Sequence, residues 1–200
     1  MIKKRLLDIL VSLVVLICFG PLLLILSVYI VITSGRPAFY KGWRAGKTGI
    51  PFQILKLRTM VPNAENEGGA ETPSDDARIT QFGRLLRQYK LDELPQFYNV
   101  LLGEMSIVGP RPEVLDEVST YGSAERGLLS VRPGITDWAS IKFRHEDELL
   151  RGATDPHEAY HKLIVPEKIK LGLKYTRERS MTIDLLIIVK TVSAVFSDYV

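Results

Sequence analysis

Charge is missing from the start of the chain: from Ile9 to Thr33, 25 consecutive residues pass without an acid or a base. A straight helix of that length measures about 37 Å, against about 30 Å for the hydrocarbon core of a bilayer. Alanine is missing too. The first is Ala38, so no A-x-A site follows the apolar run, which excludes a cleaved signal peptide and leaves a retained membrane element. Cysteine is nearly absent: Cys18 stands alone inside the run, which excludes an intrachain disulfide and agrees with a reducing compartment. Acid is missing from residues 34–60, which hold Arg36, Lys41, Arg44, Lys47, Lys56 and Arg58. Cations beside an apolar run suit an anionic lipid surface, at about 1 kcal/mol each near that surface. The plainer alternative is a solvated basic linker. Its place beside the membrane segment argues against nucleic acid as a partner.

What is present divides into two parts. Residues 1–35 read as the membrane element, and 36–200 as one membrane-associated, mostly helical catalytic domain with a small β element. PFQILKLRTM has the alternation of a strand, and the polar, Gly- and Pro-rich residues 61–77 read as a mobile loop. Two helical stripes follow, Phe82-Leu85-Leu86-Tyr89 and Leu94-Phe97-Tyr98-Leu101-Leu102. SIVGPRPE and VRPGITDW read as connectors, and two helices close the chain. Asp184 and Lys190 make the last of them too charged to span a bilayer.

Gly20-Pro21 interrupts the apolar run. Proline removes one backbone hydrogen bond and clashes with the carbonyl of residue 17, and glycine permits a sharp bend. Each half is then about 18 Å long, too short to cross. Lys3, Lys4 and Arg5 precede the run, and Arg36 and Lys41 follow it. A re-entrant hairpin places both clusters in the cytoplasm; a Pro-kinked crossing, the alternative, sends one across against the positive-inside tendency.

The residues with chemical potential gather further on. In KLDELPQF, Pro95 belongs in a first helical turn, so Asp92-Glu93 sits at or just before a helix N-terminus. The pair reads either as a cap or as a carboxylate available to a metal or an electrophile. Lys56 and Arg58, two apart on a strand, leave the same face and suit a diphosphate, or else protect an edge. Arg111, held between two prolines, is a pre-organised guanidinium, and Arg78, Arg84 and Arg87 add cations around the first soluble helix. Two patterns are decoys. His157-Glu158-Ala159-Tyr160-His161 matches the zinc-protease H-E-x-x-H, but no third ligand follows in any supporting pattern. Gly46-Lys47-Thr48 matches the end of a P-loop, but Lys41 stands where its first glycine belongs.

FQILKLRTM, DARITQFGRLLRQYKLDELPQFYNVLLGEMSIVGPRPE and VRPGIT together resemble the bacterial sugar transferase family, the monotopic phosphoglycosyl transferases. The closing stretch from Asp155 is similar to the C-terminal part of the family's small members, among them the transferases that load N,N'-diacetylbacillosamine phosphate onto undecaprenyl phosphate. The resemblance implies transfer of a phospho-sugar from a UDP-sugar to undecaprenyl phosphate with release of UMP. It implies a re-entrant membrane helix, amphipathic interfacial helices, and an active site on the cytoplasmic face of the bacterial inner membrane. Other enzymes of the same glycan pathway are the partners it suggests. It further implies Asp92 as nucleophile and metal ligand, Glu93 as its partner and Mg2+ as cofactor. Lys56, Arg58, Arg78, Arg87 and Arg111 would supply positive charge to the substrate phosphates. The chain departs from the family pattern at Gly20, commonly Ser, and at Asp137, commonly Gly, which leaves the role of Trp138 open. Two other classes compete: a membrane-anchored scaffold that binds anionic lipid or partner proteins, and a zinc hydrolase using His157 and His161.

Overall fold

The apolar run folds into one long helix, α1 (Ile2–Ser34), with Pro21 inside it. The computed structural model describes residues 2–64 and 72–197, so residues 65–71 of the expected loop lie outside the described residues. Where two short helices and a turn are expected, helical hydrogen bonding runs through Gly20-Pro21. Helix α1 is long and apolar enough to cross a membrane, with a mean hydropathy of 3.1 over its most apolar window. Most of its side chains are open to the surroundings; the buried ones are Asp8, Ser12, Leu26 and Ile30.

The rest is mostly helical with two small sheets. Strands β1 (Phe39–Ala45) and β2 (Pro51–Leu57) form an antiparallel hairpin. Helices α2 (Gln81–Gln88) and α3 (Gln96–Leu102) follow, joined through a 3-10 turn at Leu91–Glu93. Strands β3 (Ser106–Val108) and β4 (Gly134–Thr136) pair in parallel, and α4 (Leu115–Ser119) lies between them in sequence. Then come α5 (Trp138–Lys142), α6 (Glu146–Leu149), α7 (Pro156–Leu163), α8 (Val165–Glu178) and α9 (Met181–Ser197).

Three sequence expectations change. The basic stretch contains a strand, β1, and Gly46-Lys47-Thr48, the P-loop decoy, falls at the tight end of its hairpin, where a 3-10 turn spans Lys47–Gly49. The two connectors contain β3 and β4, because Gly109 and Gly134 meet there. A side chain on Gly134 would strike the Gly109 backbone, so glycine is what permits the approach. The two apolar stripes also split. On α3 the core face is Gln96, Asn99 and Val100, while Tyr98 and Leu102 are 51% and 57% exposed. Leu85 and Tyr89 on α2 point away from the core in the same way.

Two apolar clusters hold the elements. Phe52, Ile54, Val100, Met105, Val108, Tyr175 and Ile187 join β2, α3, β3, α8 and α9. Leu26 and Ile30 pack with Leu57 and Leu86, which seats the second half of α1 on β2 and α2. The first part of α1 is held by polar contacts. Asp8 accepts from Ser106 Oγ at 2.9 Å and from Ile107 N at 3.0 Å, and Arg5 donates to the Val100 and Leu101 carbonyls at 2.6 and 2.7 Å. Lys4 pairs with Asp184 of α9 at 2.8 Å, and Tyr175 donates to the other oxygen of that carboxylate at 2.7 Å. A buried carboxylate on an apolar helix requires such donors. Both ends of α1 therefore rest on the same body.

Candidate active site

Asp92 and Glu93 lie on the 3-10 turn that leads into α3, with Pro95 one residue before the helix. Lys90, at φ 53°, turns the chain sharply after α2 and presents both acids toward β2. Asn99 sets the distance between α3 and β2. Its side chain accepts from Leu55 N at 3.0 Å and donates to the Gln53 carbonyl and to Glu104. Lys56, next to Leu55, then reaches Glu93 Oε1 at 2.7 Å, and Arg111 reaches the same oxygen at 2.9 Å.

The two acids differ in electrostatic setting. Burial acts to raise the Glu93 carboxyl, but Arg111 and Lys56 outweigh it and hold Glu93 well below the ordinary carboxylate range. In turn Glu93 raises Arg111. Asp92 is 6% exposed, and its Oδ1 has no hydrogen-bond partner among the described residues. Burial raises its carboxyl above the ordinary range, against the pull of Lys56 and Arg87. Burial also lowers Lys56, in part offset by Glu93. The result is one ionised carboxylate spent on two cations and one under-satisfied carboxylate beside it.

A cavity of about 760 Å³ opens at this point. Arg84, Arg87, Lys90, Glu93 and Arg111 form one part of its wall, whereas Asp92 and Lys56 do not line it. Arg87 Nε donates to Thr59 Oγ1 at 2.9 Å, which aims the guanidinium, and burial lowers it. Not every expected cation comes here. Arg58 instead turns to the end of α1, where it donates to the Ser34 and Gly35 carbonyls at 2.7 and 2.6 Å. Cations satisfy helix C-terminal carbonyls in this way. Arg78 closes a local loop on Asp76 at 2.7 Å and the Ala64 carbonyl at 3.1 Å.

The remaining motifs have structural explanations. Asp137 is the N-cap of α5, accepting from Ser140 N at 2.7 Å. Trp138 packs on the main core beneath Lys190, and is not a wall of the cavity. His157 and His161 stack at 4.3 Å on α7, with His161 against Glu117 at 3.0 Å. Among the described residues no three His, Cys, Asp or Glu side chains converge as a metal set. Magnesium needs less than that. It takes one or two carboxylates and completes its shell with water and phosphate oxygens, and the unpartnered Asp92 Oδ1 is the donor that fits.

Sequence reasoning missed Asn99, Thr59 and Asp8. Asn99 was legible as a polar residue inside an apolar stripe, and Asp8 as an acid at the edge of an apolar run; Thr59 carried no signal.

The model of the bacterial sugar transferase family matches residues 1–198. The chain is 38% identical to the UDP-glucose:undecaprenyl-phosphate glucose-1-phosphate transferase of Klebsiella pneumoniae, over 96% of this chain and 40% of that protein. It is 35% identical to the enzyme of the same name in Caulobacter vibrioides, over 98% of this chain and 70% of the relative. It is 33% identical to the UDP-N-acetylgalactosamine-undecaprenyl-phosphate N-acetylgalactosaminephosphotransferase of Aeromonas hydrophila, over 98% and 44%. These names speak of glucose and N-acetylgalactosamine, not of bacillosamine. With the family model matched from α1 to α9, the chain belongs to the bacterial sugar transferase family.

Proposed function

We propose that this protein transfers a sugar 1-phosphate from a UDP-sugar to undecaprenyl phosphate and releases UMP. The observation that carries the reading is the contrast within one turn: Glu93 neutralised by Lys56 and Arg111, and Asp92 Oδ1 left without a partner among the described residues. A buried carboxylate short of hydrogen bonds has little to lose by bonding to phosphorus.

In this reading an Asp92 carboxylate oxygen bonds to the sugar-bearing phosphorus, the bond from that phosphorus to the UMP oxygen breaks, and UMP leaves. An oxygen of the lipid phosphate then attacks the same phosphorus and releases Asp92. Anion meets anion twice, so positive charge must be in place beforehand. Arg87 and Arg111 on the cavity wall, with Lys56 close behind Glu93, hold that charge. A bound Mg2+ on Asp92 would add charge stabilisation to the diphosphate. Glu93 keeps Lys56 and Arg111 at fixed distance and so positions them. Arg58 and Arg78, engaged elsewhere, act on structure and not on phosphate.

Membrane placement follows the same reading. Lys4, Arg5 and Asp8 tie one end of α1 to α3, β3 and α9, and Arg58 ties the other end to β2. A helix with both ends on one body enters and leaves the bilayer on one side, as a re-entrant element with its bend at Pro21. The uncovered apolar faces of α2, α3 and α9 then lie in the interface of the cytoplasmic leaflet. The acetamido sugar expected from the sequence and the glucose named for two of the relatives above are the candidate substrates, in a first membrane step of glycoconjugate assembly. The test is UMP release over a panel of UDP-sugars with undecaprenyl phosphate and Mg2+: turnover with one sugar is expected, and none with any would remove the reading. An inert scaffold would bind anionic vesicles equally well with Asp92 replaced.

A further inference from the structure

The charged part of the cavity accounts for only some of its wall. The α6 side, with Arg144, Glu146, Asp147, Glu148 and Lys168, is polar and charged as well, but one stretch of the wall is apolar: Phe97 from α3, Ile135 from β4, Ile141 from α5, and Ala194 and Val195 from α9. A nucleotide sugar offers few apolar groups to meet such a surface. An amphiphile with an anionic head does, since cations and apolar groups then each meet their complement.

The walls themselves indicate where the amphiphile comes from. Helices α3 and α9 each line the cavity with one face and carry uncovered apolar groups on the other, Tyr98 and Leu102 on α3, Val189 and Val192 on α9. Arg144 donates to the Ala194 carbonyl, which ties the α5–α6 corner to α9. Thr136 and Thr191, 2.7 Å apart, tie β4 to the same helix. The apolar wall is thus a fixed surface, and membrane-facing groups continue around it.

We propose that the apolar wall formed by Phe97, Ile135, Ala194 and Val195 is the seat of the first isoprene units of the polyprenyl phosphate acceptor, which enters from the bilayer between α3 and α9. This rests on the transferase reading above. It deepens that reading by assigning the acceptor its own stretch of the cavity wall, with its phosphate directed at Arg87 and Arg111.

The experiment compares full-length wild type with Ala194→Trp and Val195→Asp in detergent, using undecaprenyl, farnesyl and isopentenyl phosphates as acceptors. Val195 is 37% exposed, so its replacement spares the core if the bulkier variant fails to fold. Wild type is expected to use farnesyl phosphate at least tenfold better than isopentenyl phosphate, and both variants to lose most of that preference. Their KM for undecaprenyl phosphate should rise about tenfold, with the KM for UDP-sugar moving less than threefold. An intact chain-length preference in Val195→Asp overturns the proposal, as does a rise confined to the UDP-sugar KM, which would give this wall to the nucleotide or sugar. Absence of UMP release by wild type with any UDP-sugar would instead bring down the transferase reading, and this proposal with it.

Discussion

Asp92 and Glu93 are adjacent on one turn and have opposite surroundings: Glu93 Oε1 receives Lys56 at 2.7 Å and Arg111 at 2.9 Å, while Asp92 Oδ1 receives no hydrogen bond from the described residues. Neighbouring acids whose environments separate their proton affinities are commonly given separate tasks.

The stability consequence is testable. Asp92→Asn removes a buried charge and keeps the shape, so the variant should be more stable at neutral pH by about 1 kcal/mol, seen as a rise in Tm. Glu93→Gln should do the reverse. It leaves Lys56 and Arg111 facing each other and costs about 2–3 kcal/mol, toward the low end for a buried pair because Arg111 is partly solvated. Adding Lys56→Met to Glu93→Gln should recover part of that loss.

The pH dependence follows from the same shifts. Asp92 must be ionised to attack, and its carboxyl is raised by burial, so the acidic limb of kcat/KM should lie above the ordinary carboxylate range. Lys56 pulls Asp92 down, so Lys56→Met should move the limb to higher pH. For stability the signs differ. Glu93 is lowered in the fold, so its contribution is present above its unfolded value and is lost as pH falls through the folded one. Asp92 is raised, so its burden appears as pH rises through its folded value. Acid unfolding should therefore be blunted in Glu93→Gln.

Helix α1 should depend on Asp8 for its seat. Asp8→Ala leaves Ser106 Oγ and Ile107 N without their acceptor in a buried place, and should cost about 2–3 kcal/mol. Thermal unfolding in detergent, with limited proteolysis near residue 35, would report the loosened helix.

The orientation of α1 is equally checkable. A tag at Met1 should be cytoplasmic, resistant to membrane-impermeant labelling from the periplasm; a periplasmic tag would mean that α1 crosses.

What was legible in the sequence was local. The Asp92-Glu93 pair before Pro95 and the uncharged run depend on neighbours a few residues apart. What was not legible depends on distant partners. Lys56 and Arg58 share a face on paper, but Glu93 draws one and the end of α1 draws the other. The pairing of β3 with β4 hides in stretches rich in proline and glycine, because two glycines in contact leave no periodic signal. The core face of α3 is polar at Gln96 and Asn99, since that face holds a strand edge and not only an apolar layer, so the hydrophobic stripe caught Phe97 but missed those two.

The most direct test is to incubate the protein with a UDP-sugar labelled at the β-phosphate, without any lipid acceptor, and to look for label on the chain. The account predicts UMP release of up to one equivalent, label on the peptide containing Asp92, none in Asp92→Asn, and discharge on adding undecaprenyl phosphate. Release of UMP only when both substrates are present, with no label on the protein at any time, would contradict it.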